Sequence, residues 1–149
     1  MKTIVAAVDF SAATEPVLRE AVRVCRLLKA RLAVVHVVPP PSTLRDLFPA
    51  GALSAELLLA AKREASERLE QIARAVGRKV RRVEILRVTG EPVGAIVAEA
   101  ARLKAEFLLI GAHGHTAIFD RLTGGVARGV LARAECPVIV VPAARSRRA

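Results

Sequence analysis

The sequence predicts a single three-layer α/β/α domain built on a five-stranded parallel sheet. Short apolar runs alternate with longer amphipathic segments, and strands that alternate with helices form parallel sheets covered on both faces. The chain has 149 residues, which is enough for one domain with a real core. Hydrophobic residues make up 53% of the chain and charged residues 26%, a balance typical of folded proteins. We expect the domain to span residues 1–143, followed by a basic, flexible tail over residues 144–149.

The first strand and helix are predicted from a short apolar run and the amphipathic segment that follows it. Residues 4–8 indicate a buried strand. Four apolar side chains then recur at helical spacing: Val17, Ala21, Val24 and Leu28. Thr14 is the candidate N-cap of this helix, and Pro16 fits its first turn, where a missing N–H group costs nothing.

The second strand and the longest helix are separated by a proline-rich segment. Residues 32–38 predict a strand, which three consecutive prolines end. Residues 39–53 are expected to form a long surface loop with one helical turn near residues 44–48. Ser54 is the candidate cap of the longest helix, and Gly77 ends it. The predicted core stripe of this helix is Leu57, Ala61, Ala65, Leu69, Ile72 and Val76.

The second half of the chain continues the alternation of strands and helices. Residues 80–88 mix charged and apolar side chains, which indicates a strand near an exposed edge. A Gly-Glu-Pro sequence at residues 90–92 opens the third helix, and residues 107–110 are apolar throughout, which predicts a central strand. A fourth helix is expected over residues 125–134 and a last strand over residues 137–142.

Three loops follow the carboxyl ends of predicted strands and should converge, namely residues 8–11, 37–39 and 111–127. In open parallel sheets, ligands bind beyond these ends, where the winding direction reverses. In the third loop, Gly111 and Gly114 allow backbone angles and close approaches that a Cβ would forbid. The sequence therefore predicts a ligand site at this edge of the sheet.

The fourth helix begins with glycines, and its free backbone amides suit an anion. Gly124 and Gly125 open this helix, whose first N–H groups lack internal partners and whose dipole favours negative charge. His115 and Arg121 lie between the glycines and could reach the same charge. The segment is neither a Walker A loop nor a compact G-x-G-x-x-G fingerprint. It predicts a phosphate site, with a purely structural turn as the alternative.

The spacing of three glycines is the most specific motif in the chain. Gly111, Gly114 and Gly124 are separated by two and then nine residues. Asp-Phe-Ser at residues 9–11 and Cys-Pro-Val-Ile-Val-Val at residues 136–141 are further motifs near the two ends of the chain. Together these segments resemble the universal stress protein family over nearly the whole chain. The resemblance implies a Rossmann-like, adenine-nucleotide-alpha-hydrolase-like fold that binds ATP or a related adenine nucleotide such as ADP or AMP.

The resemblance also implies which residues form the nucleotide site. Asp9 resembles the family's first-strand aspartate, which lies by the nucleotide, and Val37 resembles the residue whose backbone reads the adenine edge. The other implied site residues line the same wall, cradle the phosphates and ribose, or present N–H groups at the helix start: Ala7, Val8, Gly111, Gly114, His115, Gly124, Gly125, Val126 and Ala127. Gly125 departs from the pattern, because nucleotide-binding relatives usually have Ser or Thr there, whose hydroxyl contacts phosphate.

Asp9 has two interpretations of equal weight. It could orient a ribose or hold Mg²⁺ beside the phosphates, or it could form an Asx turn. His36 is expected to pack near its strand end. No nucleophile, base and orienting group occur as a spaced set, so at most slow ATP hydrolysis is expected.

The charge and composition restrict the partners of the chain. Its formal charge of +10 suits nucleotides, nucleic acids or other polyanions. Aromatic residues make up only 3%, and no nucleic-acid motif is recognisable, which argues against a nucleic-acid binder. No apolar run approaches the ~20 residues of a membrane helix. Asp9 also interrupts the apolar stretch at the N-terminus before a signal-peptide core could form, so we expect a cytoplasmic protein. In that compartment Cys25 and Cys136, which form no C-x-x-C motif, are expected to be buried and reduced.

The last strand suggests an oligomer. Residues from Val138 to Val141 would form an apolar edge unless they were covered. The resemblance implies a homodimer that pairs through this strand. Two other functions remain as alternatives: a dimeric interaction module that no longer binds nucleotide, which Gly125 favours, and a nucleic-acid binder, which only the charge favours.

Overall fold

Five strands and five helices form the part of the chain that the computed structural model describes, which is residues 1–49, 51–52, 54–112 and 124–143. The elements in chain order are β1 Thr3–Ala7, α1 Thr14–Leu28, β2 Arg31–Val38, α2 Pro41–Leu47, α3 Ala55–Gly77, β3 Val83–Thr89, α4 Pro92–Arg102, β4 Phe107–Ala112, α5 Gly124–Arg133 and β5 Val138–Pro142. The predicted tail over residues 144–149 lies outside the described residues. Among the described helices, none is both long and apolar enough to cross a bilayer.

The strands form one parallel sheet in the order β3-β2-β1-β4-β5. In the central strand β1, Val5 pairs with Ala33 on one side and with Leu108 on the other. The chain winds outward from β1 to β3, crosses back, and continues through β4 to β5. The winding direction therefore reverses between β1 and β4. The predicted five-stranded parallel sheet is confirmed, and β3 is an edge strand as its charged residues indicated.

Each face of the sheet carries its own apolar core. Alternate side chains of a strand point to opposite faces, so Ile4 and Ala6 join the core that also contains Val17 of α1 and Leu69 of α3. Val5 faces the other way, in the core that contains Ile96 of α4 and Val130 of α5. The three-layer architecture is confirmed.

The start of α1 differs from the prediction. Thr14 is the first helical residue and not the cap; Ala13 holds the cap position and makes no side-chain cap hydrogen bond. Instead, the Ser11 carbonyl accepts a hydrogen bond from the Thr14 N–H at 3.0 Å, and the Ser11 hydroxyl accepts one from the Ala13 N–H at 3.2 Å. Ser11 therefore satisfies the N–H groups of Ala13 and Thr14 at the start of the helix, and the predicted Thr14 cap is wrong.

The cap of α3 is confirmed, but its predicted core stripe is wrong at the first two positions, Leu57 and Ala61, which are exposed. The Ser54 hydroxyl accepts a hydrogen bond from the Leu57 N–H at 3.1 Å. Leu69 and Val76 are buried, whereas Leu57 is 56% exposed. The 23 residues of α3 span about 34 Å, while the 7 residues of β3 beneath it span about 23 Å. The first turns of α3 therefore extend beyond the core. The predicted loop before it contains the short helix α2.

Glu91 caps α4 with its carboxylate. The two carboxylate oxygens accept hydrogen bonds from the N–H groups of Val93 at 2.9 Å and Gly94 at 2.7 Å. These bonds favour the ionised form and hold the pKa of Glu91 below its ordinary value, with the positive charge of Arg133 as a smaller cause. The stability that this cap gives to the protein should therefore depend on pH.

We expect the contribution of Glu91 to stability to be lost in acid. A carboxyl whose pKa is lowered by folding stabilises the protein above its ordinary pKa of about 4.3 and stops doing so as the pH falls through the folded value. Urea unfolding of the wild-type chain and Glu91→Gln should show a stability difference near pH 7 that shrinks toward pH 3. A difference that is constant over this range would contradict the assignment.

The two cysteines lie on opposite faces of the sheet. Cys25 is 1% exposed, and burial raises the pKa of its thiol to about 11. Cys136 is half-buried against the other core, and burial raises its pKa as well. The expectation of buried thiols is confirmed for Cys25 and holds in part for Cys136.

Candidate functional site

A cavity of about 160 Å³ opens at the carboxyl ends of β1, β2 and β4. It lies at the point where the winding of the sheet reverses, which is where open parallel sheets bind ligands. Seven residues singled out from the sequence line it: Ala7, Val8, Asp9, Val37, Gly111, Val126 and Ala127. The fold thus brings together residues that are up to 120 positions apart in the sequence.

Two further predicted site residues that the structure describes, Gly124 and Gly125, are not among the lining residues of this cavity. They lie in the first turn of α5, beside Val126 and Ala127, which do line it. A Cβ built at Gly125 would meet no atom of the described residues within 4 Å. Gly114 and His115 lie outside the described residues, as does Arg121. The predicted site is therefore described on the sides of β1, β2, β4 and α5, but not over residues 113–123.

The Asx turn at Asp9 is present. The Oδ1 atom of Asp9 accepts a hydrogen bond from the Ser11 N–H at 3.0 Å. Between them, Phe10 adopts a left-handed backbone with φ of 62°, which is uncommon for an aromatic residue. The exposed Asp9 side chain is thereby held at the cavity wall. A turn role does not exclude ligand contact, because a carboxylate has several lone pairs.

Contacts around Phe10 support this turn. The Phe10 ring lies 4.3 Å from the His36 ring, and the Arg68 guanidinium lies 5.4 Å from the Phe10 ring centroid. Nδ1 of His36 is 2.9 Å from the Val8 carbonyl oxygen. The prediction that His36 packs at its strand end is confirmed.

Gly111 is required by packing against α1. A Cβ at this position would lie 2.5 Å from the Cβ of Ala13, closer than real Cβ atoms approach. The end of β4 and the start of α1 therefore meet across this glycine. Gly111 was predicted as part of a phosphate cradle, and the close approach that it permits here is to Ala13.

Thr14 is a cavity residue that the sequence analysis did not find. It lines the cavity, and its Oγ1 atom is buried without a hydrogen-bond partner among the described residues. Buried hydroxyls nearly always have a partner. The helical spacing assigned Thr14 to a cap, and no sequence signal separates a cap from a cavity wall at this position.

The wall of the cavity is mostly apolar. Aliphatic side chains of the strands and helices surround it, with Asp9 and Thr14 as polar groups. A cavity needs about 10–15 Å³ by this measure to hold one water, and this cavity of about 160 Å³ is well above that threshold. This volume fits one ring system, such as a nucleobase or a ribose, rather than a whole nucleotide. No group of His, Cys, Asp or Glu within the described ranges could hold a metal ion by itself.

Comparisons with known proteins agree on one family. The model of the universal stress protein family matches residues 1–142. Universal stress protein MJ0531 of Methanocaldococcus jannaschii is 31% identical over 142 residues, which cover 94% of this chain and 81% of that protein.

Two solved structures are similar over nearly the full length of both chains. The universal stress protein from Archaeoglobus fulgidus in complex with dAMP is 29% identical, with a TM-score of 0.67 over 95% of this chain and 98% of that one. A universal stress protein in complex with cAMP is 27% identical, with a TM-score of 0.65 over 96% and 98%. Both ligands are adenine nucleotides with a single phosphate.

Proposed function

This chain belongs to the universal stress protein family, and on that premise we propose that it binds an adenine nucleotide at the cavity between β1, β2, β4 and α5. The proposal rests on one observation: the apolar, ring-sized cavity lies next to the amino end of α5. The base or ribose would occupy the cavity beside Asp9 and Val37. The phosphates would lie outside it, at the N–H groups of Gly124 to Ala127, where a helix end stabilises negative charge.

The proposed ligand is ATP, ADP or AMP in a signalling role rather than a substrate that turns over quickly. The relatives crystallised with dAMP and cAMP support an adenine nucleotide. Mg²⁺ would be held by the phosphates together with Asp9, because carboxylate and phosphate oxygens are its preferred ligands. A cytoplasmic location remains a prediction.

We also propose that two copies pair along β5. This strand lies at the edge of the sheet, and Val140 on it is 39% exposed. An unpaired apolar edge is a template for pairing with another chain. Analytical sedimentation measures the mass of the chain in solution. The mass of a monomer at the concentration used for nucleotide titration would contradict the dimer.

Calorimetric titration with ATP, ADP, AMP and cAMP, with and without Mg²⁺, tests nucleotide binding. We expect saturable binding that weakens about 10- to 100-fold in Asp9→Ala, because a hydrogen bond to a charged group contributes roughly 1.5–3 kcal/mol. Asp46→Ala is the matched control, since it removes an exposed carboxylate from α2, away from the cavity lining. A folded chain that binds no nucleotide at millimolar concentration would instead favour an interaction module.

A further inference from the structure

A basic cleft lies at the opposite end of the sheet from the nucleotide cavity. Its volume is about 210 Å³, and four basic side chains line it: Arg26 and Lys29 at the end of α1, and Lys79 and Arg81 between α3 and β3. Its other lining residues are small or apolar, including Ala30 and Val80. No acidic residue lines it among those that the structure describes.

The four cations of the basic cleft are exposed, and no described residue pairs with them. None of them forms an ion pair or a side-chain hydrogen bond with another described residue. Arg78 and Arg82, which are also exposed and unpaired within the described chain, flank Lys79 and Arg81 in the sequence. Cations held close together without counter-charges repel each other and raise the local concentration of anions.

Helix dipoles account for only part of this cluster. Cations stabilise the negative end of a helix, but the effect falls off within its last turn. Arg26 lies in the last turn of α1 and Lys29 is its C-cap, so both can serve that helix. Lys79 and Arg81 lie beyond the C-cap of α3, which is Arg78. The dipoles therefore leave at least two cations of the cleft unexplained.

The basic cleft is a different site from the nucleotide cavity. Ala30 and Arg81 precede the first residues of β2 and β3, whereas the cavity lies at the carboxyl ends of the strands. The 8 residues of β2 alone span about 26 Å between the two ends. A bound mononucleotide would not reach from one to the other.

We propose that the basic cleft binds the phosphate backbone of a nucleic acid through charge alone. Several closely spaced cations match a chain of phosphates better than a single anion. No aromatic side chain lines the cleft among the described residues, so bases cannot stack there and sequence is not read. The low aromatic content argues against base recognition, but a backbone contact needs no aromatic residue.

Fluorescence anisotropy of a labelled DNA duplex and a labelled single-stranded RNA, titrated with the full chain, tests this proposal. Both should bind saturably and without sequence preference. With four phosphate contacts, the expected salt slope is about −3.6 for the duplex, so the Kd should rise roughly 10²-fold between about 50 mM and 200 mM salt. The double variant Lys79→Glu with Arg81→Glu should weaken binding by at least about tenfold at the lower salt concentration, since it reverses two of the four contacts.

The matched control is Arg45→Glu with Arg63→Glu, which changes the net charge equally. Both are exposed, on α2 and on the first half of α3, and Arg63 lies about 21 Å along the helix from Gly77. Equal losses in the two double variants would overturn the proposal in favour of a net-charge effect. Absence of saturable binding would also overturn it. Tighter binding of polyglutamate than of the duplex at equal charge concentration and equal salt would assign the cleft to acidic proteins instead.

Discussion

Replacing Gly111 by alanine is expected to lower the free energy of unfolding by about 1–3 kcal/mol, the usual cost of overpacking a core. The new methyl group would lie 2.5 Å from the Cβ of Ala13, which is fixed to the backbone and cannot rotate away. Either β4 or the start of α1 has to shift. Thr14 and Val17 follow Ala13 in the cavity wall, so nucleotide affinity should fall with stability. Urea denaturation and calorimetric titration measure the two effects.

Gly77→Ala is the control for this substitution. A Cβ at Gly77 would meet no described atom within 4 Å, and the residue ends α3 away from the cavity lining. Alanine there should leave nucleotide affinity unchanged and stability the same or slightly higher, because glycine is a poor helix former. If Gly111→Ala were as stable as Gly77→Ala, the close approach of β4 to α1 would not be a real constraint on the fold.

Replacing Gly125 by serine is expected to raise nucleotide affinity about 10- to 100-fold. No described atom would lie within 4 Å of a Cβ at this position, and the residue lies in the first turn of α5, next to Val126 of the cavity wall. The serine hydroxyl would add a hydrogen bond to a phosphate, which contributes roughly 1.5–3 kcal/mol when one partner is charged. Titration with ATP and AMP measures the gain.

Gly125→Ala is the control for Gly125→Ser. It separates the effect of the serine hydroxyl from the effect of replacing a flexible glycine. Alanine adds the Cβ and the helix propensity but no hydrogen-bonding group. We expect Gly125→Ala to bind nucleotide about as well as the wild type. Serine and alanine variants of equal affinity would show that the phosphates do not reach residue 125, and the proposed placement at the start of α5 would be wrong.

The sequence determined the elements and the class of the fold. Apolar runs flanked by turn residues placed the bounds of four strands within two residues, because a buried strand needs a continuous apolar segment. The mixed run that predicted β3 placed its start three residues too early. The charges of residues 80–88 identified β3 as an edge strand, and Ser54 identified the start of α3. The family resemblance also came from local motifs. All of these signals come from residues close to each other in the chain.

Only the tertiary structure decided which of those residues meet. The approach of Gly111 to Ala13, the exposure of Leu57, and the burial of the Thr14 hydroxyl all depend on where one element ends over another. The basic cleft likewise joins cations from positions 26–29 and 79–81, which a sequence shows only as two separate runs. Periodicity states which face of an element is apolar, but the length and offset of the neighbouring element decide how much of that face is covered.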